Sequence, residues 1–101
     1  MLGAQKLQKE VVMTGQSGSS ELSQVGKMVR AIVLALVDNE ARVLVTEVTG
    51  THSVVIEVDV DRPDRGKVIG KKGAHAKAIR KIVEAAGGKA KKRYLLEIIE
   101  D

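Results

Sequence analysis

From Val54 to Val60 the chain alternates without a break. Val54, Ile56, Val58 and Val60 fall on one side of a two-residue repeat, and Val55, Glu57 and Asp59 fall on the other. A period of two belongs to an extended strand with one buried face and cannot be laid on the 3.6-residue repeat of a helix. This run therefore fixes a β element and the direction in which its apolar side must look. The β-branched stretch before it, Arg42 to Thr49, joins it through Gly50-Thr51-His52, which predicts an antiparallel hairpin. One apolar sheet face then needs a cover.

Helical patterns supply that cover. Val25, Met28, Val29, Ile32 and Leu36 recur at helical spacing. They predict a helix capped at Ser20, with Glu21 in its first turn and a break at Asp38-Asn39. Pro63 opens a short helical segment that Gly70 ends. After Gly73 a further helix sets Ile79, Ile82, Val83 and Ala86 on one face and Lys77, Arg80, Lys81 and Glu84 on the other. Gly87-Gly88 is expected to stop it, with Lys89 to Arg93 as a basic loop and Tyr94 to Ile99 as a last strand. The order is α-β-β-α-α-β, an α+β domain over residues 21–101. Thirty of the 101 residues are Val, Ile or Leu, enough for one core and too short a chain for two. Residues 1–20 read as a flexible N-terminal extension, because Thr14 to Ser20 (TGQSGSS) has linker composition.

Composition removes several function classes. With no Cys there is no disulfide, thiolate site or thiol catalysis. The two histidines, His52 and His75, do not make an H-x-x-x-H pair, and no nucleophile has an identifiable base, so no metal, cofactor or catalytic residue is expected. One Tyr with no Phe or Trp excludes a row of stacking rings. The longest uncharged apolar run, Ala31 to Val37, is seven residues, far below a span of about 20. No apolar stretch near the start suits a secretory signal. A soluble, cytoplasmic protein without a membrane partner is expected.

Charge is polarised along the chain. Arg62 to Arg93 holds twelve Lys or Arg and two acids, a net of +10, while the rest carries five bases and eleven acids, a net of −6. A cationic block on an acidic remainder suits a polyanion, because neutralised phosphates release condensed counterions. A solvated lysine-rich helix face explains the same charges equally well.

Inside that block lies Gly70-Lys71-Lys72-Gly73, between two predicted helices. Glycines three apart let a backbone approach closely, and the following helix start offers N–H donors to an anion. Lys71 and Lys72 at the tip add positive charge. A Walker loop is excluded, since Arg65 stands at the required first glycine and Lys72 at the required Ser or Thr. A Rossmann turn is excluded because no G-x-G is present. Taken alone, G-x-x-G is a weak signal and is better read as a plain helix–helix turn.

The wider pattern narrows the reading. Ala31 to Val37, Thr46-Glu47-Val48, Gly66-Lys67-Val68-Ile69-Gly70-Lys71, Ala76-Lys77-Ala78-Ile79-Arg80 and Leu96-Glu97-Ile98-Ile99 occur in this order. Together they resemble the KhpA (YlqC) family of small bacterial KH proteins, over about Val25 to Asp101. The resemblance implies a type II KH domain, a three-stranded sheet with three helices on one face. It implies a non-catalytic protein, an RNA chaperone or post-transcriptional regulator, holding single-stranded RNA of about four nucleotides on the glycine loop with bases in an aliphatic groove. It also implies self-association or pairing with a larger KH-containing RNA-binding protein. A KH-fold protein adaptor with little RNA binding is the alternative, and single-stranded DNA in place of RNA a milder one.

By that resemblance Gly70, Lys71, Lys72 and Gly73 are the phosphate clamp and Ile69 is groove wall, with Val68 in the core. Lys77 and Arg80 extend the cationic edge. Looser contacts fall to Lys89, Lys91, Lys92 and Arg93 on charge alone, and to His75 as a phosphate donor near the loop, although a lone exposed His is more often incidental. The family often has Arg and then an aliphatic residue after the second glycine, where this chain has Ala74 and His75.

Overall fold

The computed structural model describes residues 22–100. Its elements are α1 (Gln24–Leu36), β1 (Leu44–Thr49), β2 (Ser53–Asp59), α2 (Arg65–Ile69), α3 (Ala74–Ala90) and β3 (Arg93–Ile98). Single 3-10 turns occupy Glu40–Arg42, Arg62–Asp64 and Lys71–Gly73. The sheet order is β1-β2-β3, antiparallel between the first two and parallel between the last two. The expected element order and strand count hold.

The alternation in β2 does what its period requires. Val54, Ile56 and Val58 are buried together with Val60, while Val55, Glu57 and Asp59 are partly exposed on the other side. Facing them, Val25, Val29 and Val33 recur every fourth residue along α1, and Ile79 and Val83 do so along α3. Val68, Tyr94 and Leu96 belong to the same continuous hydrophobic core. Burying each such side chain is worth about 1.5–3 kcal/mol, so the repeated valine positions decide the fold.

Three boundaries differ from the sequence reading. Ser20 lies outside the described residues, and the cap of α1 is Ser23. The Ser23 hydroxyl accepts the Gly26 amide at 3.1 Å. It also donates to Glu47 Oε2 at 2.6 Å, and the Ser23 amide donates to the same oxygen at 2.9 Å. Glu47 thus bonds the start of α1 from the helix-facing side of β1, a long-range contact invisible to local capping rules. The first strand starts at Leu44, because Glu40–Arg42 closes a 3-10 turn first. Most informatively, Gly87 and Gly88 do not end α3: the helix runs through both to Ala90. Lys89 is therefore helical and Arg93 already lies in β3, so the basic loop shrinks to Lys91 and Lys92.

The helix passes Gly87 because packing needs a glycine there. A Cβ on it would stand 2.6 Å from the Lys92 carbonyl oxygen and 3.2 Å from Tyr94 Cδ1. Closure falls to Lys91, which takes the left-handed conformation at φ 59°. The Lys92 amide donates to the Gly87 carbonyl at 3.0 Å and the Lys91 amide to the Gly88 carbonyl at 3.2 Å. That pair of bonds is a Schellman closure. No described helix is long and apolar enough to cross a membrane.

Candidate nucleic-acid interface

The site is built around the junction of α2 and α3. Asp64, almost fully buried, anchors the entry to α2: its two carboxylate oxygens accept the amides of Asp38 at 3.2 Å and Asn39 at 3.0 Å. The Lys67 ammonium completes the anchor by pairing with Asp64 at 3.3 Å and with Asp38. The Asn39 amide above all holds the Asp64 carboxyl below its ordinary range, helped by the Asp38 amide and Lys67 and opposed by burial. Bonding to Asp38 first, then to Asp64, holds the Lys67 ammonium above its own. Lys67 is thereby committed to the fold, although it belongs to the basic block.

Gly70 ends α2 with φ 79°, and its amide donates to the Gly66 carbonyl at 2.8 Å. Lys71 to Gly73 then make one tight 3-10 turn. Lys72 sits at φ 57° and Gly73 at φ 76°, both left-handed, where a side chain costs roughly 1–2 kcal/mol. Around Gly73 the space is open, so backbone conformation alone calls for glycine there. At Gly70 both conformation and space do: a Cβ would meet His75 Cγ at 2.5 Å and the His75 amide nitrogen at 2.7 Å.

Sequence reasoning expected free amides along the start of α3. The structure corrects this in part, because the Gly73 amide donates to the Gly70 carbonyl at 3.0 Å and the Ala74 amide to the Lys71 carbonyl. A 3-10 turn uses donors that a simple helix start would leave free. What projects is charge. Lys71 and Lys72 are exposed, and their ammonium groups have no ion-pair partner among the described residues. Lys77 and Arg80, one turn apart on α3, are exposed as well. Ile69 is half-buried directly before the loop and Val68 is fully buried.

Beside Arg80, a shallow cleft of about 80 Å³ lies between α3 and β3, lined by Val83, Glu84, Leu95 and Leu96 among others. A larger hollow of about 430 Å³ opens between α1 and the far end of α3, at Val25, Met28, Ala86 and Tyr94. The structure thus gathers Ile69 to Gly73 with Lys77 and Arg80 on one end and flank of α3. Lys89, Lys91 and Lys92 are not part of that group: some 15 helical residues, roughly 22 Å, separate them from the loop.

The sequence places His75 near the loop as a candidate phosphate donor, and the structure gives it a definite partner. From the first turn of α3 its Nδ1 lies 2.7 Å from the Lys67 carbonyl oxygen, and its ring covers Gly70. No local sequence rule announces a histidine reaching back eight residues across a turn. Among the described residues no cluster of His, Cys, Asp or Glu suits a metal.

A mixed three-stranded sheet covered by helices, with a positive-φ G-K-K-G turn between the two helices that precede the last strand, defines a type II KH domain. Residues 26–98 match the family described as KhpA/KhpB, KH domain, and the chain belongs to it. Among similar curated proteins, the RNA-binding protein KhpA of Caldanaerobacter subterraneus is 51% identical over 75 residues, 74% of this chain and 100% of the relative. The RNA-binding protein KhpA of Aquifex aeolicus is 47% identical over 79 residues, 78% of this chain and 100% of the relative. A crystal structure of Aquifex aeolicus Era aligns with TM-score 0.48 at 24% identity, covering 73% of this chain and 29% of that one. The matched family is a KH-domain family and not a family of enzymes.

Proposed function

We propose that this protein binds single-stranded RNA, with Gly70, Lys71, Lys72 and Gly73 gripping the phosphate backbone and Ile69, Lys77 and Arg80 flanking it. The observation that carries the reading is the loop itself. Two exposed lysines without ion-pair partners among the described residues stand on a turn whose flanking glycines take φ 79° and 76°. The backbone is open at Gly73, where a sugar–phosphate chain would pass beside the two lysines. The cleft between α3 and β3, lined by Val83, Leu95 and Leu96, suits unstacked bases without aromatic platforms. Its lining supports an aliphatic groove. Lys89, Lys91 and Lys92, at the opposite end of α3, touch RNA only where a strand is longer than the loop's own footprint. The product of such binding is a held or remodelled RNA, the role of a chaperone or post-transcriptional regulator in the cytoplasm.

Affinity measured against salt tests this. With about three phosphates neutralised, the log–log slope for a short single strand is expected near −2, at about −0.7 per phosphate. A slope near zero, or no binding at low salt, contradicts it.

A second reading has its own observation. On the sheet face away from the helices Val48, Val55 and Leu95 are aligned in one row across three strands, and Leu44 and Val48 are about half exposed. That row suits a protein partner, either a second copy or a larger KH-containing protein. Such pairing leaves the glycine loop free, so it adds to the RNA reading. An adaptor with little RNA binding is favoured only if the loop proves silent.

A further inference from the structure

We propose that His75 is the positioning residue of the glycine loop and also supplies a protonation-dependent contact to the phosphate, an inference that rests on reading that loop as the RNA clamp. A carbonyl oxygen can only accept. The 2.7 Å contact between Nδ1 and the Lys67 carbonyl therefore places a proton on Nδ1 in both the neutral and the cationic ring. In the neutral ring Nε2 is then bare and an acceptor, while in the imidazolium it donates and carries charge. The ring's attachment to α2 survives the titration, and only its outward nitrogen changes character.

The position gives that change a target. The ring lies against Gly70, whose missing Cβ would fall 2.5 Å from Cγ, and His75 is exposed. Lys67 is held from both ends, its ammonium by Asp38 and Asp64 and its carbonyl by His75. His75 thus ties the loop's exit to an α2 that Asp64 has already fixed to residues 38 and 39. The other charged groups on the surrounding elements are Arg65 and Lys67 on α2, Lys71 and Lys72 on the loop, and Lys77, Arg80, Lys81, Glu84 and Lys89 on α3, where the acid Glu84 stands nine residues, roughly 13 Å, along the helix from His75. Asp64 and Asp38 are turned to Lys67. The surroundings of the loop are cationic, so the negative charge that meets an imidazolium there is a bound phosphate. Binding then takes up a proton, and affinity rises as pH falls through the histidine range.

The test uses the full chain and an oligouridine without terminal phosphates, because its groups do not titrate between about pH 5.5 and 8. Wild-type affinity is expected to rise about fivefold or more on going to the acid end at constant salt, the scale of one charge-assisted bond. His75→Asn places an amide where Nδ1 stood but has no counterpart to Nε2. It should lose the pH dependence, whereas His75→Ala should bind more weakly than His75→Asn at both ends. His52→Asn, in the β1–β2 turn, should leave the profile unchanged. Imidazole nitrogen shifts of the free protein should report Nδ1 protonated and Nε2 bare in the neutral ring, and the opposite tautomer overturns the attachment outright. If His75→Asn retains the wild-type pH profile, the His75 contact is wrong while the clamp stands. Absence of oligouridine binding at every pH overturns both.

Discussion

At the start of α3 stand Gly70 and Gly73 with Lys71 and Lys72 between them; at its end stand Gly87 and Gly88, followed by Lys89, Lys91 and Lys92. The first pair is left-handed at φ 79° and 76° and forces a turn. The second pair is helical, and the turn is handed to Lys91. The charges differ in the same sense. A helix carries about half a positive charge at its N-terminus and half a negative charge at its C-terminus. Lys89 and its neighbours therefore stabilise the end they occupy by about 0.3–1 kcal/mol each, while Lys71 and Lys72 oppose the end they occupy. Cations that help the helix need no ligand to explain them. Cations that oppose it, held on a bare backbone, point to an anion from outside. A glycine pair and a lysine cluster stand at both ends, and backbone conformation separates the positive-φ turn from the helix terminus.

Substitutions can break that comparison. Gly70→Ala is expected to have the largest effect, combining a left-handed backbone penalty with overlap on His75 for about 2–4 kcal/mol. Chemical denaturation reads the stability loss, and RNA affinity should fall with it because the turn is displaced. At the other end, Gly87→Ala should destabilise by about 1–3 kcal/mol through overlap with the Lys92 carbonyl and Tyr94. Its neighbour sharpens the contrast. A Cβ on Gly88 meets nothing within 4 Å, so Gly88→Ala should stabilise by about 0.5–1 kcal/mol without changing RNA affinity. If the two alanines behave alike, the packing account of α3 is wrong. Lys91→Gly should stabilise by about 1 kcal/mol through relief at φ 59°, less whatever helix-end charge it removes.

Acid should act first on the anchor of α2. The Asp64 carboxyl is held low in the folded state. Its contribution is therefore complete above the ordinary carboxylate value of about 3.9 and is lost as pH falls through the lower folded value. Lys67, held high, contributes fully below the ordinary lysine value of about 10.4 and loses that contribution only as pH rises through its folded value. Thermal melting of wild type should thus be insensitive to this anchor between about pH 5 and 9, with Asp64→Asn less stable throughout and flatter in acid.

Much of the architecture was legible because apolar period and burial demand agree. The two-residue repeat of Val54 to Val60 and the helical repeats at Val25, Val29, Ile79 and Val83 all came to lie in the core. The candidate loop was legible as well, from Gly70-Lys71-Lys72-Gly73 between two helices. What escaped depends on partners far along the chain. Ser23 rather than Ser20 caps α1 because Glu47, 24 residues on, takes its hydroxyl and amide. Gly87 reads locally as a stop signal and is retained as helix by its contact with Lys92 and Tyr94. Lys67 reads as one more basic residue until Asp38, 29 residues earlier, comes to pair with it. His75 gives no local sign of its bond to Lys67. Periodic features repeat their message at many positions, whereas each of these rests on a single long-range contact.

The most direct test of the central claim is an NMR titration of the full chain with short single-stranded RNAs, on wild type and on the Lys71→Asp, Lys72→Asp double variant. The account predicts wild-type amide shifts concentrated on residues 69–80 and lost in a double variant that keeps its folded spectrum. Residues 89–92 should move far less. Shifts that are absent in the wild type, that centre on residues 89–92, or that survive in the folded double variant would contradict it.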